Sequence, residues 1–288
     1  MESIMAIIRT GLEGQTPEGA VRGKFSVSLF RRVRFSKGNL QYQASSDTWR
    51  FAEHQYDMIG AAAGNNTISG RESQEDWIDL FGWGTSGWNK PWPQGGKKYP
   101  YSTSIDDRWY GPAVNRDLTG DSSNYDWGVY NKISNGGNKE GMWRTLTKDE
   151  WVYLFNERRC EYRYVLAKVN DVFGMIIFAD GYSHPAGVTG FQHVNKGLYG
   201  DRSPNVEDNA VSSEDWAKIE KAGAVFLPAA GCRFGTSVRG AGSYGGYWSA
   251  THSSAYYAYH VYFVGSGFCP VNYINRYDGF SVRLVQDN

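Results

Sequence analysis

The chain has 288 residues, which is enough for one large domain or two small ones with a sizeable core. Lys plus Arg and Asp plus Glu both number 30, so the net charge is zero, and no basic stripe indicates a nucleic-acid partner. The sequence has no apolar run long enough for a signal peptide or a membrane span, so we expect a chain made in the cytoplasm without membrane insertion, unless an upstream segment is missing. Aromatic residues make up 16% and glycines number 35, which indicates a loop-rich protein with an aromatic core.

The first half of the chain is predicted to contain short strands and long loops. Residues 1–24 are expected to form a tail or an attachment segment, and one domain is expected to span 25–288. Apolar residues that alternate with polar ones between turn signals predict an antiparallel meander over about 32–51. Residues 58–138 are predicted to be mostly loop. Its tryptophans are expected in the core rather than in sugar stacking, namely Trp77, Trp83, Trp88, Trp92, Trp109 and Trp127.

Two helices are predicted in the second half. Thr147 and Glu150 have the spacing of a capping box, and an apolar stripe follows them. A second helix is expected to begin at Ser212 or Ser213 and to end at Gly223. Further strands are predicted at 165–167, 172–179 and 225–227. This order of helices and antiparallel strands is typical of the α+β class.

The last fifty residues have an unusual composition. Eight tyrosines lie between Tyr244 and Tyr277, and no Lys or Glu follows Lys221. Ordinary surfaces carry Lys and Glu, whereas a mixture of Tyr, Ser, Gly and Asn is typical of antibody-like binding surfaces. The composition therefore predicts a binding surface.

Alternation along a strand predicts which side chains face the core. In the first C-terminal strand, Tyr259, Val261 and Phe263 are expected to face inward, and His260, Tyr262 and Val264 outward. Residues 265–279 are predicted to be loop. Phe280, Val282 and Leu284 then predict a second strand, with Ser281 and Arg283 on its other side. Trp248 completes the predicted inner framework.

Several short sequences in this chain resemble one family. They are Gly-Tyr-Trp-Ser-Ala-Thr at 246–251, Ala-Tyr-x-Val-x-Phe at 258–263, Pro270, Arg276, Gly-Phe-Ser-Val-Arg-Leu-Val at 279–285, and the opening at 34–53. Together they are similar to the variable proteins of diversity-generating retroelements from gut Bacteroidales and their phages. The resemblance covers about 25–285 and implies a C-type lectin-like fold of the formylglycine-generating-enzyme subtype, with a variable ligand-binding region at about 232–285.

In that family, an error-prone reverse transcriptase randomises adenine-containing codons while framework residues stay fixed. The resemblance implies that this chain binds ligands and is not an enzyme, with a protein or glycan on a target cell as partner. Display on a phage tail or a bacterial surface is expected, with the N-terminal segment as the attachment to the virion or surface structure. The implied ligand-binding positions are Tyr244, Gly246, His252, Ser254, Tyr256, Tyr257, His260, Tyr262, Val264, Phe268, Val271, Tyr273, Ile274, Tyr277 and Asp278.

Other functions remain open at this level. The fold subtype also includes a copper-binding oxidase, but Cys232 and Cys269 do not lie in its cysteine motif, and no catalytic residue is expected. A bridge between these two cysteines is the main alternative to free thiols. His252 and His260 lack the spacing of a zinc site, and the acidic residues at 106–126 lack a calcium signature, so no metal or cofactor is expected. A fixed carbohydrate-binding lectin and an adhesin module are the alternative binding functions.

Overall fold

The computed structural model describes residues 16–60, 77–88, 111–112, 115–192, 194, 206–235, 237–265 and 267–288. The start of the predicted tail, Trp92, Trp109 and part of the acidic segment lie outside these residues. The described chain is a mixture of helices and mostly antiparallel sheets, so the predicted α+β class is confirmed.

Three helices lie in the described residues. They are α1 (Trp127–Tyr130), α2 (Lys148–Val152) and α3 (Ser213–Lys221); a π-helical turn (Tyr153–Glu157) extends α2, and 3₁₀ turns lie at Gly120–Tyr125 and Val206–Asn209. The predicted capping box is confirmed, because the Glu150 amide donates to Thr147 Oγ1 and the Thr147 amide donates to the Glu150 carboxylate. None of these helices is both long and apolar enough to cross a bilayer.

Sixteen strands form five small sheets in the described residues. The strands are β1 (Phe25–Ser26), β2 (Arg32–Phe35), β3 (Leu40–Gln43), β4 (Thr48–Phe51), β5 (Trp77–Ile78), β6 (Arg144–Thr145), β7 (Tyr164–Val169), β8 (Val172–Ile177), β9 (Ala210–Val211), β10 (Val225–Pro228), β11 (Cys232–Phe234), β12 (Ser237–Arg239), β13 (Tyr244–His252), β14 (Tyr257–Val264), β15 (Gly267–Asn275) and β16 (Leu284–Asp287). Their orders are β1-β2-β16-β6, β4-β3-β5, β10-β8-β7-β9, β11-β12 and β13-β14-β15. The C-terminal strand thus lies between strands from the first and second halves of the chain.

The β13-β14-β15 sheet is packed on both faces. On one face, Tyr247, Val261 and Phe263 belong to a core cluster that also contains side chains of β1, β2, β8 and α2. On the other face, Trp248 and Ala258 join a second cluster with the buried tryptophans of the first half. Both faces of the sheet are therefore buried over part of its length, and its exposed side chains occupy what remains.

Four expectations about the fold need correction. Residues 265–279 are not a loop, because β15 occupies most of them. The meander is only partly present, since β3 pairs with β4 but β2 pairs with β1 and β16. Val21 is buried in the core, so the end of the expected tail is part of the domain. The strand expected around Phe280 begins only at Leu284, and Ser281 and Arg283 are buried.

The tryptophans of residues 58–138 differ in burial. Trp83 and Trp127 are fully buried, as predicted, whereas Trp88 is exposed and stacks edge-on against Tyr130. Trp77 is half-buried under the guanidinium of Arg50.

Candidate binding surface

The fifteen implied contact positions differ widely in exposure. Tyr256, Tyr257 and Tyr273 are 49%, 38% and 58% exposed. Gly246, His260 and Asp278 are buried, so the expectation that they face solvent is wrong. The half-buried remainder consists of Tyr244, His252, Ser254, Tyr262, Val264, Phe268, Val271, Ile274 and Tyr277.

A cluster of tyrosines lies at one end of the sheet, on the face that carries Val261. Tyr259 pairs with Tyr273 across β14 and β15, with ring centroids 6.3 Å apart, and the Tyr257 ring lies 5.8 Å from that of Tyr273. Lys148 Nζ lies 5.1 Å above the Tyr259 ring. We call these three residues, Tyr257, Tyr259 and Tyr273, together with the exposed Tyr256 of the adjoining turn, the tyrosine surface.

Sequence reasoning missed two members of this neighbourhood. Tyr259 was expected to face inward, but it is half-buried and lies beside Tyr273. The alternation is correct, because Tyr259 does share a face with Val261 and Phe263. Other segments of the chain pack on only part of that face, and no sequence pattern shows where this packing ends. Lys148 has no signal in the sequence, since only the fold brings the start of α2 to the sheet.

A second group lies on the opposite face of the same sheet. Tyr244 pairs with Val264, Gly246 pairs with Tyr262, and the rings of Tyr244 and Tyr262 are 4.9 Å apart. Because neighbouring residues of a strand point to opposite faces, this pair cannot belong to the tyrosine surface. The implied contact positions therefore form two patches rather than one.

His260 belongs to the frame under the second patch. Its ring stacks on Phe280 at 4.7 Å and meets Trp248 edge-on at 5.9 Å, and Tyr244 Oη lies 3.3 Å from its Nε2. Burial lowers the pKa of His260 to about 3, so its imidazole is neutral at physiological pH. The residue is an aromatic packing element in this structure.

The loop that carries Tyr256 is held by an arginine. The Arg276 amide donates to the Tyr256 carbonyl at 2.9 Å, and Arg276 Nη2 donates to the Ser254 carbonyl at 2.6 Å. The guanidinium also lies 4.4 Å from the Trp83 ring. At the other end of the turn, His252 Nδ1 is 2.6 Å from Asp117 Oδ1. These contacts fix the backbone, so the exposed tyrosines are presented from a rigid base.

Two of the three thiols have raised pKa values. Cys160, Cys232 and Cys269 are all free, so the alternative of a bridge is wrong. Burial, followed by the nearby charge of Asp278, raises the pKa of Cys232 to about 12, and burial also raises that of Cys160. A nucleophilic or copper-binding cysteine needs the opposite shift. Within the described ranges, no group of three or more His, Cys, Asp or Glu side chains could hold a metal ion.

Comparison with known proteins gives one family. A family described as a domain of unknown function, DUF8237, matches residues 156–285. The matched segment runs from the π-helical turn after α2 into β16 and includes the whole β13-β14-β15 sheet. No curated protein and no solved structure matches the chain.

Proposed function

We propose that this chain is a non-enzymatic ligand-binding protein with a C-type lectin-like fold, whose C-terminal surface is diversified by a retroelement. Its ligand is a protein or glycan on a target cell, and the chain is displayed on a phage tail or a bacterial surface. The observation that carries the proposal is the tyrosine surface, a group of exposed and half-buried tyrosines on a sheet that is packed on both faces over part of its length.

The physical properties of this surface suit recognition. Tyrosine offers a large amphipathic contact area with few rotatable bonds, and it is enriched among the residues that dominate binding energy. The rings of Tyr257 and Tyr259 each contact the ring of Tyr273, and these contacts reduce the side-chain freedom that binding would remove. The raised thiol pKa values and the sequence resemblance support binding over catalysis.

A fixed carbohydrate-binding lectin is the second candidate. Asn275 pairs with Tyr257 and lies two residues from Tyr273 on the same face of β15, and Lys148 lies over Tyr259. An aromatic face bordered by an amide and an ammonium group offers both stacking and hydrogen bonds to a sugar. Such a lectin requires these side chains to stay constant, whereas a diversified binder requires them to change.

Sequencing of the gene across a natural population separates the two candidates. We expect amino-acid substitutions concentrated in codons 244–278 at exposed positions such as Tyr257 and Tyr273, with a near-copy repeat and a reverse-transcriptase gene nearby. Codons 164–177, which encode the buried β7 and β8 strands, are the internal control. An even distribution of changes over both segments, with no repeat, would reject diversification and favour the fixed lectin.

A further inference from the structure

The hairpin of β1 and β2 ends in an exposed apolar tip. Leu29 is 78% exposed and Phe30 is 99% exposed. The turn is well held, because Ser28 Oγ accepts hydrogen bonds from the amides of Phe30 and Arg31 at 3.3 and 3.1 Å. The Val27 amide donates to the Arg31 carbonyl at 3.0 Å and closes the turn. The two apolar side chains are therefore held away from the protein by a defined backbone.

The outer face of the same hairpin is basic. Phe25, Val27, Val33 and Phe35 point into the core, so the residues between them point outward. Of the hairpin residues, Arg32 and Arg34 line an open groove of about 1010 Å³, and the other cationic side chains of that groove are Arg22, Lys24 and Lys221. The chain has no net charge, so this concentration of cations is local.

The negative charge in the groove is already neutralised. Asp180 is the one carboxylate among the described lining residues. It accepts hydrogen bonds from the amide and hydroxyl of Ser26 at 2.8 and 2.6 Å, and Arg158 Nη1 lies 3.2 Å from it. Among the described lining residues, no other carboxylate therefore neutralises the cations of the groove.

Arg34 is the groove cation whose surroundings favour an external anion most clearly. Its guanidinium is buried, and it donates to the carbonyl of Arg22 and, at 3.1 Å, to Asn288 Oδ1. Burial, followed by repulsion from Arg22, lowers the pKa of Arg34. The partners that the structure gives it are dipoles, so an external anion would stabilise it.

We propose that this hairpin docks on an anionic lipid surface, with Leu29 and Phe30 among the acyl chains and the basic groove over the headgroups. An apolar tip beside a basic face is the combination that holds proteins at membrane interfaces. A convex tip of two residues fits a deformable apolar phase, whereas a soluble polyanion would use the groove and leave the tip in water. The groove lining contains no aromatic side chain in the described residues, so it offers no stacking platform for single-stranded nucleic acid. The contact is peripheral and is separate from the tyrosine surface.

Co-sedimentation of the full chain with vesicles tests this proposal. The vesicles are phosphatidylcholine alone or phosphatidylcholine with about a third phosphatidylglycerol, over a range of salt concentrations. The variants are Leu29→Ser with Phe30→Ser, Arg22→Glu with Arg32→Glu, and Tyr256→Ser with Tyr273→Ser as the matched control for loss of exposed aromatic area. All six side chains are solvent-facing, so the variants are expected to fold, and circular dichroism verifies this.

The expected result is salt-sensitive binding to the anionic vesicles only. Each Arg→Glu change removes a positive charge and adds a negative one, so the double variant is expected to weaken binding at least about 25-fold, at about fivefold for each positive charge lost. Loss of the apolar tip is expected to weaken it at least about tenfold, from the transfer free energy of the buried carbons. The control variant should bind as the unaltered chain does, because the lipid contact uses the hairpin and the basic groove and not the tyrosine surface.

Three outcomes would overturn the proposal. The first is that the chain does not bind anionic vesicles at low salt. The second is that binding depends on the tyrosines rather than on the hairpin. The third is that binding is unaffected by loss of the apolar tip and that inositol hexakisphosphate competes with the vesicles for the chain. The last would identify a soluble polyanion as the ligand of the groove.

Discussion

Phe263 and Tyr273 lie on adjacent strands and share one face of the sheet, but their exposure is opposite. Phe263 is fully buried among Phe173, Tyr247 and its other neighbours, whereas Tyr273 is more than half exposed. Phe263→Ala should lower the free energy of unfolding by about 3–5 kcal/mol. Tyr273→Ala should change it by less than about 0.5 kcal/mol. Urea denaturation of both variants measures this contrast, and a large loss in the tyrosine variant would mean that the exposed face is wrongly assigned.

Asp278 predicts an unusual dependence of stability on pH. Burial raises the pKa of its carboxyl from 3.8 to about 7, so between these values the folded state holds a proton that the unfolded state has released. The stability from this group is fully present below about pH 4 and is lost as the pH rises towards 7. His260 has the opposite sign, because its pKa falls from 6.5 to about 3 on folding. The two effects therefore oppose each other in mildly acidic solution.

The variant Asp278→Asn isolates the aspartate, since Asn resembles its protonated form. We expect the urea midpoint of Asp278→Asn, measured relative to that of the unaltered chain, to increase as the pH rises from about 4 to 7.5. Asp287→Asn is the matched control, because hydrogen bonds from Arg144 lower the pKa of Asp287 below 3.8. The stability from Asp287 is lost only below about pH 4, so the difference between this variant and the unaltered chain should stay nearly constant over the same range. A difference between Asp278→Asn and the unaltered chain that stays constant with pH would mean that Asp278 is ionised in the fold.

At the scale of elements, β13 depends on two consecutive glycines. A Cβ on Gly245 would lie 2.0 Å from the Phe263 ring, and a Cβ on Gly246 would lie 2.1 Å from the Phe280 ring. Because these positions have no side chain, Phe263 packs against Gly245 on one face of the strand and Phe280 packs against Gly246 on the other. This is why the sheet can have a core on both sides.

Gly246→Ala should therefore destabilise the protein by about 1–3 kcal/mol, the usual cost of overpacking. Gly267→Ala on β15 is the matched control, because a Cβ there would meet nothing within 4 Å. Thermal unfolding compares the two variants. Equal melting temperatures would show that Phe280 moves aside readily, and Gly246 could then belong to the diversified positions after all.

The elements with local signals were predictable from the sequence. The capping box at Thr147 and the cap at Ser212 depend on residues close together in the sequence, and both helices begin directly after these caps. β15 was missed because its Gly, Pro and Asn residues weaken the strand signal, and its pairing with β14 supplies the stability that the local sequence lacks. The pairing of β2 with β16 joins residues about 250 positions apart, and no local pattern specifies it.

At the scale of the whole molecule, the separation of frame from surface could be predicted only in part. The buried side chains of Val261, Phe263, Phe280 and Val282 agree with their alternation in the sequence. The burial of His260 does not, because it depends on Phe280 and Trp248 from other segments. Sequence reasoning predicts that a polar residue in a strand faces solvent. Its actual exposure depends on which other segments of the chain pack over it.

A library of variants tests this separation across the molecule. Tyr256, Tyr257 and Tyr273 would be randomised in one library, and Gly246, His260 and Asp278 in a second library of equal size. Because the first set is exposed and the second set is buried, most members of the first library should remain folded, whereas most of the second should not. Protease resistance of the displayed libraries, read by sequencing, measures the folded fraction. Equal survival of the two libraries would remove the structural basis for a diversified surface on a fixed frame, and the constant lectin would become the better description of the protein.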